Sequence, residues 1–199
     1  MKNLKTITLA IIIGGLLSSC ASSTRIKERT EGYRVYDIKG GSLSSIASNL
    51  KTAIRKNSDK ATFTNNIPPH PLPIKPARFE LVNPFGNSGI GALMASQGES
   101  IKIPKCNSSP FTSMSQGNFA GSENTTFFVC IQPYSKGNHM DVYYSFTKTS
   151  GGFNPQSLGK SLAQSVLGDS SQFIPRTMAA LEKAVQEAGG SISIVQAYP

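Results

Sequence analysis

The chain has 199 residues, 38% of them hydrophobic, and a formal net charge of +9. That is enough for one domain of ordinary size with its own core, without a metal or a dense disulfide framework. The basic residues are scattered and no nucleic-acid reading motif is present, so nucleic acid is not expected as a partner; such a surface suits anionic lipid heads, acidic glycans or an acidic protein.

Met1-Lys2-Asn3-Leu4-Lys5 is short and basic, Ile7 to Leu17 is apolar apart from Thr8, and Leu17-Ser18-Ser19-Cys20 closes the run. A basic start, an apolar stretch and small residues at the exit make an export signal. Eleven helical residues would span only about 17 Å, against the ~30 Å of a bilayer core. Leu17-Ser18-Ser19-Cys20 resembles the lipobox of bacterial lipoproteins, with Ser19 where Gly or Ala is commoner. The resemblance covers these twenty residues alone. It implies that 1–19 is a signal peptide, that cleavage falls before Cys20, and that Cys20 carries acyl chains of the palmitate type. Two or more chains anchor a protein stably where one does not. In that family Asp after the Cys retains the protein at the inner membrane. Ala21 here implies the outer membrane, with the domain expected to face the periplasm. The alternative is an ordinary thiol behind an ordinary signal peptide.

Residues 20–32 hold Ser, Thr and charge with a single Ile26 and read as a flexible tether, leaving 33–199 as one domain. Tyr33 to Ile38 is β-rich, and Gly40-Gly41 breaks it. Ser42 then caps a predicted helix whose stripe is Leu43, Ile46, Ala47, Leu50, Ala53 and Ile54. Residues 65–76 contain five prolines and read as a stiff connector crossing one face of the domain, or as a docking segment for an aromatic groove. Arg78 to Val82 alternates as a strand does. The glycines of 86–91 precede an apolar run, but their spacing is neither a dinucleotide fingerprint nor a P-loop. A mobile loop with a short helical turn is the plain reading. Ile101 to Ile103 is a short strand ended by Pro104.

From Cys106 to Asn124 the apolar residues follow no period, so a long loop is expected. Phe111, Met114 and Phe119 either fold back on the core or offer a partner surface. Phe127 to Gln132 and Met140 to Phe146 are the strongest strand signals and form a hairpin. Phe127, Val129 and Ile131 share one face and Met140, Val142, Tyr144 and Phe146 another; pairing those sets buries both and leaves Phe128, Cys130 and Tyr143 on the opposite side. Asn154-Pro155 opens one predicted helix, with Leu158, Leu162, Val166 and Leu167 as its stripe, and Ile174 to Ala188 forms another. Ser191 to Val195 is a last strand, expected inside the sheet. The sum is an α+β fold: an antiparallel or mixed sheet with about three helices packed mainly on one face. The helix-grip domains of outer-membrane assembly lipoproteins have a similar element order, without a sequence match.

With Cys20 acylated, Cys106 and Cys130 are left as a pair, and an oxidising compartment favours a disulfide closing 24 residues. A redox or metal pair is the alternative, though no Cys-x-x-Cys spacing exists. No cofactor or metal is expected, since His70 and His139 are the chain's two histidines and the acids do not cluster. A Ser-His-Asp set around His139 and Asp141 lacks the Gly-x-Ser-x-Gly elbow. Ser157-Leu158-Gly159-Lys160 matches the Ser-x-x-Lys of penicillin-recognising enzymes, but the accompanying elements are in the wrong order. No catalytic residue is therefore assigned. The expected function is binding, as an accessory or assembly component of an envelope complex. A periplasmic inhibitor and a small cell-wall or glycan hydrolase are the alternatives.

Overall fold

The computed structural model describes residues 26–86, 88–96, 102–119, 123–150 and 170–198. The signal, Cys20, the first part of the tether, the helix expected from Asn154 and the Ser157-x-x-Lys160 stretch lie outside the described residues.

Six antiparallel strands form the main sheet in the order β2-β5-β6-β7-β1-β8. These are β1 (Ile26–Gly40), β2 (Lys60–Asn65), β5 (Phe111–Phe119), β6 (Glu123–Tyr134), β7 (Gly137–Ser150) and β8 (Gly190–Tyr198). A second, two-stranded sheet joins β3 (Glu80–Val82) to β4 (Ile103–Lys105). Among the described residues there are three helices: α1 (Leu43–Lys56), α2 (Gly89–Ser96) and α3 (Ser170–Glu187). The α+β class is as expected, with α1 and α3 on one face of an antiparallel sheet.

The hairpin pairs the two expected apolar sets: Phe127 faces Tyr144, Val129 faces Val142, and Ile131 faces Met140, while Phe146 faces Thr125. Because side chains alternate across a strand, this one register sorts both faces at once. The first set joins Tyr36 and Ile38 of β1 under α1 and α3, where Ile46, Leu50, Ile54, Met178, Leu181 and Val185 complete the core. The second set, Phe128, Cys130 and Tyr143, lies on the opposite face, as expected.

Helix α1 begins where predicted. Gly40 and Gly41 turn the chain with φ of +72° and +67°, and Ser42 Oγ then accepts from the Ser45 amide at 3.1 Å. Both φ values favour glycine. Arg55 and Lys56 sit in the last turn, where positive charge meets the exposed carbonyl end. Pro175 lies inside α3 as its sixth residue, past the first turn, so the helix gives up one intrahelical N–H bond there.

Several elements differ from expectation. The tether does not extend to residue 32, because β1 starts at Ile26 and pairs with β7 from the Ile26–Ser150 position onward. Gly32 permits this extension: a Cβ there would collide with the Tyr144 ring. Strand β2 had no sequence reading. The long loop from Cys106 contains β5, whose register against β6 runs from Phe111–Ile131 to Phe119–Glu123. Strand β4 runs to Lys105, through Pro104. Strand β8 is in the sheet but at its edge, paired on one side with β1.

Candidate functional site

The face of the sheet opposite α1 and α3 is crossed by the Pro-rich segment. The connector leaves β2 and is tied down in steps. Asn66 donates its amide to Pro110 O at 2.8 Å and its side-chain Nδ2 to Ser109 O at 2.9 Å. Pro73 O accepts from the Ser135 amide at 2.9 Å, at the tip of the β6–β7 hairpin. The Phe79 amide then donates to Asp141 Oδ2 at 2.7 Å. Proline suits this path, since it stays extended and its carbonyls still accept. Of its two expected roles, the connector reading fits the position.

Past Phe79 the chain leaves the sheet as an arm, residues 80–105, that contains β3, α2 and β4. It returns at Cys106, which forms a disulfide with Cys130 of β6, Cα–Cα 6.6 Å. The arm's exit is thus fixed by Asp141 and its return by the disulfide. Tyr33 and Phe79 meet edge to face at 5.4 Å, Phe79 lies 6.0 Å from Tyr143, and Tyr33 stacks on Tyr198 at 5.9 Å.

Asp141 sits opposite Cys130 in the β6–β7 register, and its side chain is wholly buried. Burial pushes its carboxyl up to about 6, against the lowering effects of the Phe79 amide and of Arg78. Arg78 Nε lies 3.6 Å from Oδ1, outside hydrogen-bond range, and Oδ1 has no hydrogen-bond partner among the described residues. The two sulfurs and one Asp141 oxygen lie within 4.8 Å of one another. Joined as a disulfide, the sulfurs offer no thiolate to a metal.

One register step away is a second polar group. Tyr134 donates to Asp37 Oδ1 at 2.8 Å, Lys39 Nζ is 3.0 Å from Oδ2, and Lys39 also bonds Tyr134 Oη. Burial would raise Asp37, but the Lys39 and Tyr134 hydrogen bonds together outweigh it and hold its carboxyl low. His139 Nε2 lies 3.7 Å from Asp37 Oδ1, and Nδ1 is buried without a hydrogen-bond partner among the described residues. Desolvation lowers the His139 pKa, so the neutral ring is favoured. The acid nearest His139 here is thus Asp37 across the β1–β7 pair, while Asp141 is engaged by the connector.

Phe111, Met114 and Phe119 were expected either to fold back on the core or to offer a partner surface. Phe111 is a correction: it is 1% exposed, packed in the main core beside Phe63, and offers no surface. Met114 is 38% exposed on the back of β5. Phe119 is in β5, and its side chain lies outside the described residues. Other exposed apolar groups stand on the connector (Ile67, Leu72 and Ile74), on β8 (Ile194, Val195 and Tyr198) and on the arm, where they are Leu81, Phe85, Ile90, Leu93 and Ile103, with Ile90 and Leu93 each 60% exposed on α2. The glycine-bounded apolar run from 89 was the signal for it. Between α1 and α3 a groove of about 410 Å³ is lined by polar groups such as Asn49, Lys56 and Glu187, away from the arm.

No family model matches this chain, and no curated protein does. Among solved structures it is similar to an uncharacterised protein from Rhizobium leguminosarum, at 10% identity and a TM-score of 0.33 over 82% of this chain and 99% of that one. A conserved protein from Geobacillus kaustophilus matches at 11% identity and a TM-score of 0.29, covering 82% and 99%. A hypothetical protein from Helicobacter pylori matches at 10% and 0.24, covering 79% and 85%. Likeness at this level assigns neither fold family nor activity. The site is therefore read from its own residues: a tethered arm with apolar side chains outward, on a face whose titratable groups are held by one another and by the connector.

Proposed function

We propose that this chain is a cell-envelope lipoprotein, fastened to the outer membrane through acylated Cys20 and facing the periplasm, that acts by binding another envelope protein as an accessory or assembly component. The observation that supports binding is the arm. A helix that turns Ile90 and Leu93 to solvent keeps apolar area wet at a cost of about 25 cal/mol per Å². The disulfide and the Asp141 bond fix both ends of that arm, which reduces the ordering lost on association. Contact side chains on a body pinned at two points suit an apolar pocket on a partner.

Site-specific photocrosslinking from position 93 in intact cells tests the reading. A discrete crosslinked protein from position 93, absent from a control position such as Lys183 on α3, is the expected result. Equal, diffuse labelling from both positions overturns it.

A further inference from the structure

The disulfide joins two unlike sulfurs. Cys106 is partly exposed on the arm's return, whereas Cys130 is 0% exposed in the sheet between Phe128 and Tyr143. The sulfur that would leave if Cys106 were attacked is thus the buried one. A thiolate formed there would lie in apolar surroundings, where the charged form is disfavoured. Two ionisable groups lie near it among the described residues: Tyr143 of the same cluster, whose hydroxyl burial keeps protonated, and the Asp141 carboxyl, the cross-strand partner of Cys130, with one oxygen within 4.8 Å of both sulfurs. Of the elements around Asp141, β6 presents Cys130, β1 presents Val35, and the connector presents Arg78 and the Phe79 amide; His139 is two residues away on its own strand. One carboxyl oxygen is taken by Phe79, and the other has no hydrogen-bond partner among the described residues. A carboxyl group with one oxygen outside any hydrogen bond among the described residues, though 3.6 Å from Arg78 Nε, and close to a buried leaving sulfur has the position a proton donor needs.

We propose that Cys106–Cys130 is a thiol–disulfide exchange site, opened by an external dithiol at Cys106, with Asp141 as proton donor to Cys130. A thiolate of the dithiol attacks Cys106 Sγ. A mixed disulfide forms as the Cys106–Cys130 bond breaks, and the bonding electron pair moves to Cys130 Sγ, which takes the Asp141 proton. The dithiol's second thiolate then displaces Cys106, which is protonated from solvent. The dithiol leaves as a disulfide, both cysteines are reduced, and water restores the Asp141 proton. Ionised Asp141 opposes the same step, because a second negative charge would form beside it. Burial, which brings the Asp141 pKa to about 6, leaves a substantial protonated fraction at mildly acidic pH. Reduction cuts the covalent tie at the arm's return and leaves its exit held by Phe79 and Asp141.

The test is native-state reduction of the oxidised full chain by dithiothreitol, followed by mass analysis of alkylated cysteines between pH 5 and 8. Rates are divided by the reagent's thiolate fraction. For the unaltered chain the corrected rate should rise about tenfold as pH falls through 6. The rise should vanish in Asp141→Asn, and the trapped mixed disulfide should map to Cys106. Arg78→Gln removes the cation that lowers Asp141, so it should move the rise to higher pH and serves as the second variant. Reduction that occurs only in step with global unfolding in urea overturns the proposal. So does an identical pH profile in Asp141→Asn, or attack mapped to Cys130.

Discussion

The Phe79 amide and the Asp141 carboxylate meet at 2.7 Å, and this bond fixes where the arm leaves the sheet. Burial of the same carboxyl, which the Phe79 bond only partly offsets, couples the fold to pH. The folded Asp141 pKa is about 6 against an ordinary 3.8, so the folded state holds its proton more tightly than the unfolded chain does. The contribution to stability is then fully present below about 3.8 and is lost as pH rises through about 6. A shift of this size corresponds to roughly 3 kcal/mol at most. Asp141→Asn keeps an acceptor for Phe79 and removes the titration. The variant should match the unaltered chain at pH 4 and be more stable by roughly 1–3 kcal/mol at pH 7. Thermal melts at the two pH values check this; a constant gap between the proteins would contradict it.

On the helix side, Tyr36 donates to Glu182 Oε1 at 2.8 Å and ties β1 to α3, with Arg34 3.8 Å from the same oxygen. Desolvation, then the bond to Glu182, pushes the Tyr36 hydroxyl up to about 12, so it stays a donor across the working range. Tyr36→Phe removes this bond to a charged acceptor at a cost of about 1–2 kcal/mol. Glu182→Gln keeps an acceptor oxygen and should cost less. Urea midpoints at pH 7 rank the two variants, and a larger loss in Glu182→Gln would refute the assignment.

What was legible in the sequence was what apolar alternation writes. The pairing of the hairpin's apolar faces followed from Phe127, Val129 and Ile131 against Met140, Val142, Tyr144 and Phe146, and with it came the placement of Cys130 on the other face. Strand β5 was hidden because its inward positions are Phe111, Ser113, Ser115 and Gly117. The two serines are 1% and 4% exposed, so polar letters stand where a strand's apolar ones are sought. Strand β2 is an edge with only Ala61 and Phe63 turned to the core. Residues 26–32 looked like a tether because Lys27, Glu28, Arg29 and Glu31 leave no apolar face. They are strand because β7 is long enough to pair with them, and Arg29 bridges Glu31 at 2.7 Å. Asp141 was legible as an acid on a strand. Its bond to Phe79 was not, since the two residues are 62 positions apart.

Removing the disulfide separates its structural share from its chemistry. Replacing both Cys106 and Cys130 with Ser reopens a loop of 24 residues, worth roughly 3 kcal/mol in the chain-entropy picture. Cys130 is wholly buried, so its Ser also places a hydroxyl in apolar surroundings. A loss of about 3–5 kcal/mol is expected, with the arm the first region to lose amide protection. Hydrogen exchange resolves this by segment. Protection lost first in α1 or α3 would show that the staple supports the core rather than the arm.

Anchor and arm make separable contributions. Cys20→Ala should move the protein from the membrane fraction to the soluble one and leave its melting temperature unchanged. Leu93→Asp should leave the protein in the membrane fraction and weaken its association with the partner. Leu93 is 60% exposed, so a charge there should alter stability by less than about 0.5 kcal/mol. At the centre of an apolar contact the same charge would be stripped of water, and a loss of 2 kcal/mol or more in association is expected. Membrane fractionation and crosslink yield from a neighbouring arm position, measured in both variants, give four readings. The proposed division of labour requires that each variant change only one of them. A Leu93→Asp protein that leaves the membrane while its crosslinks persist would mean that the arm meets lipid rather than protein.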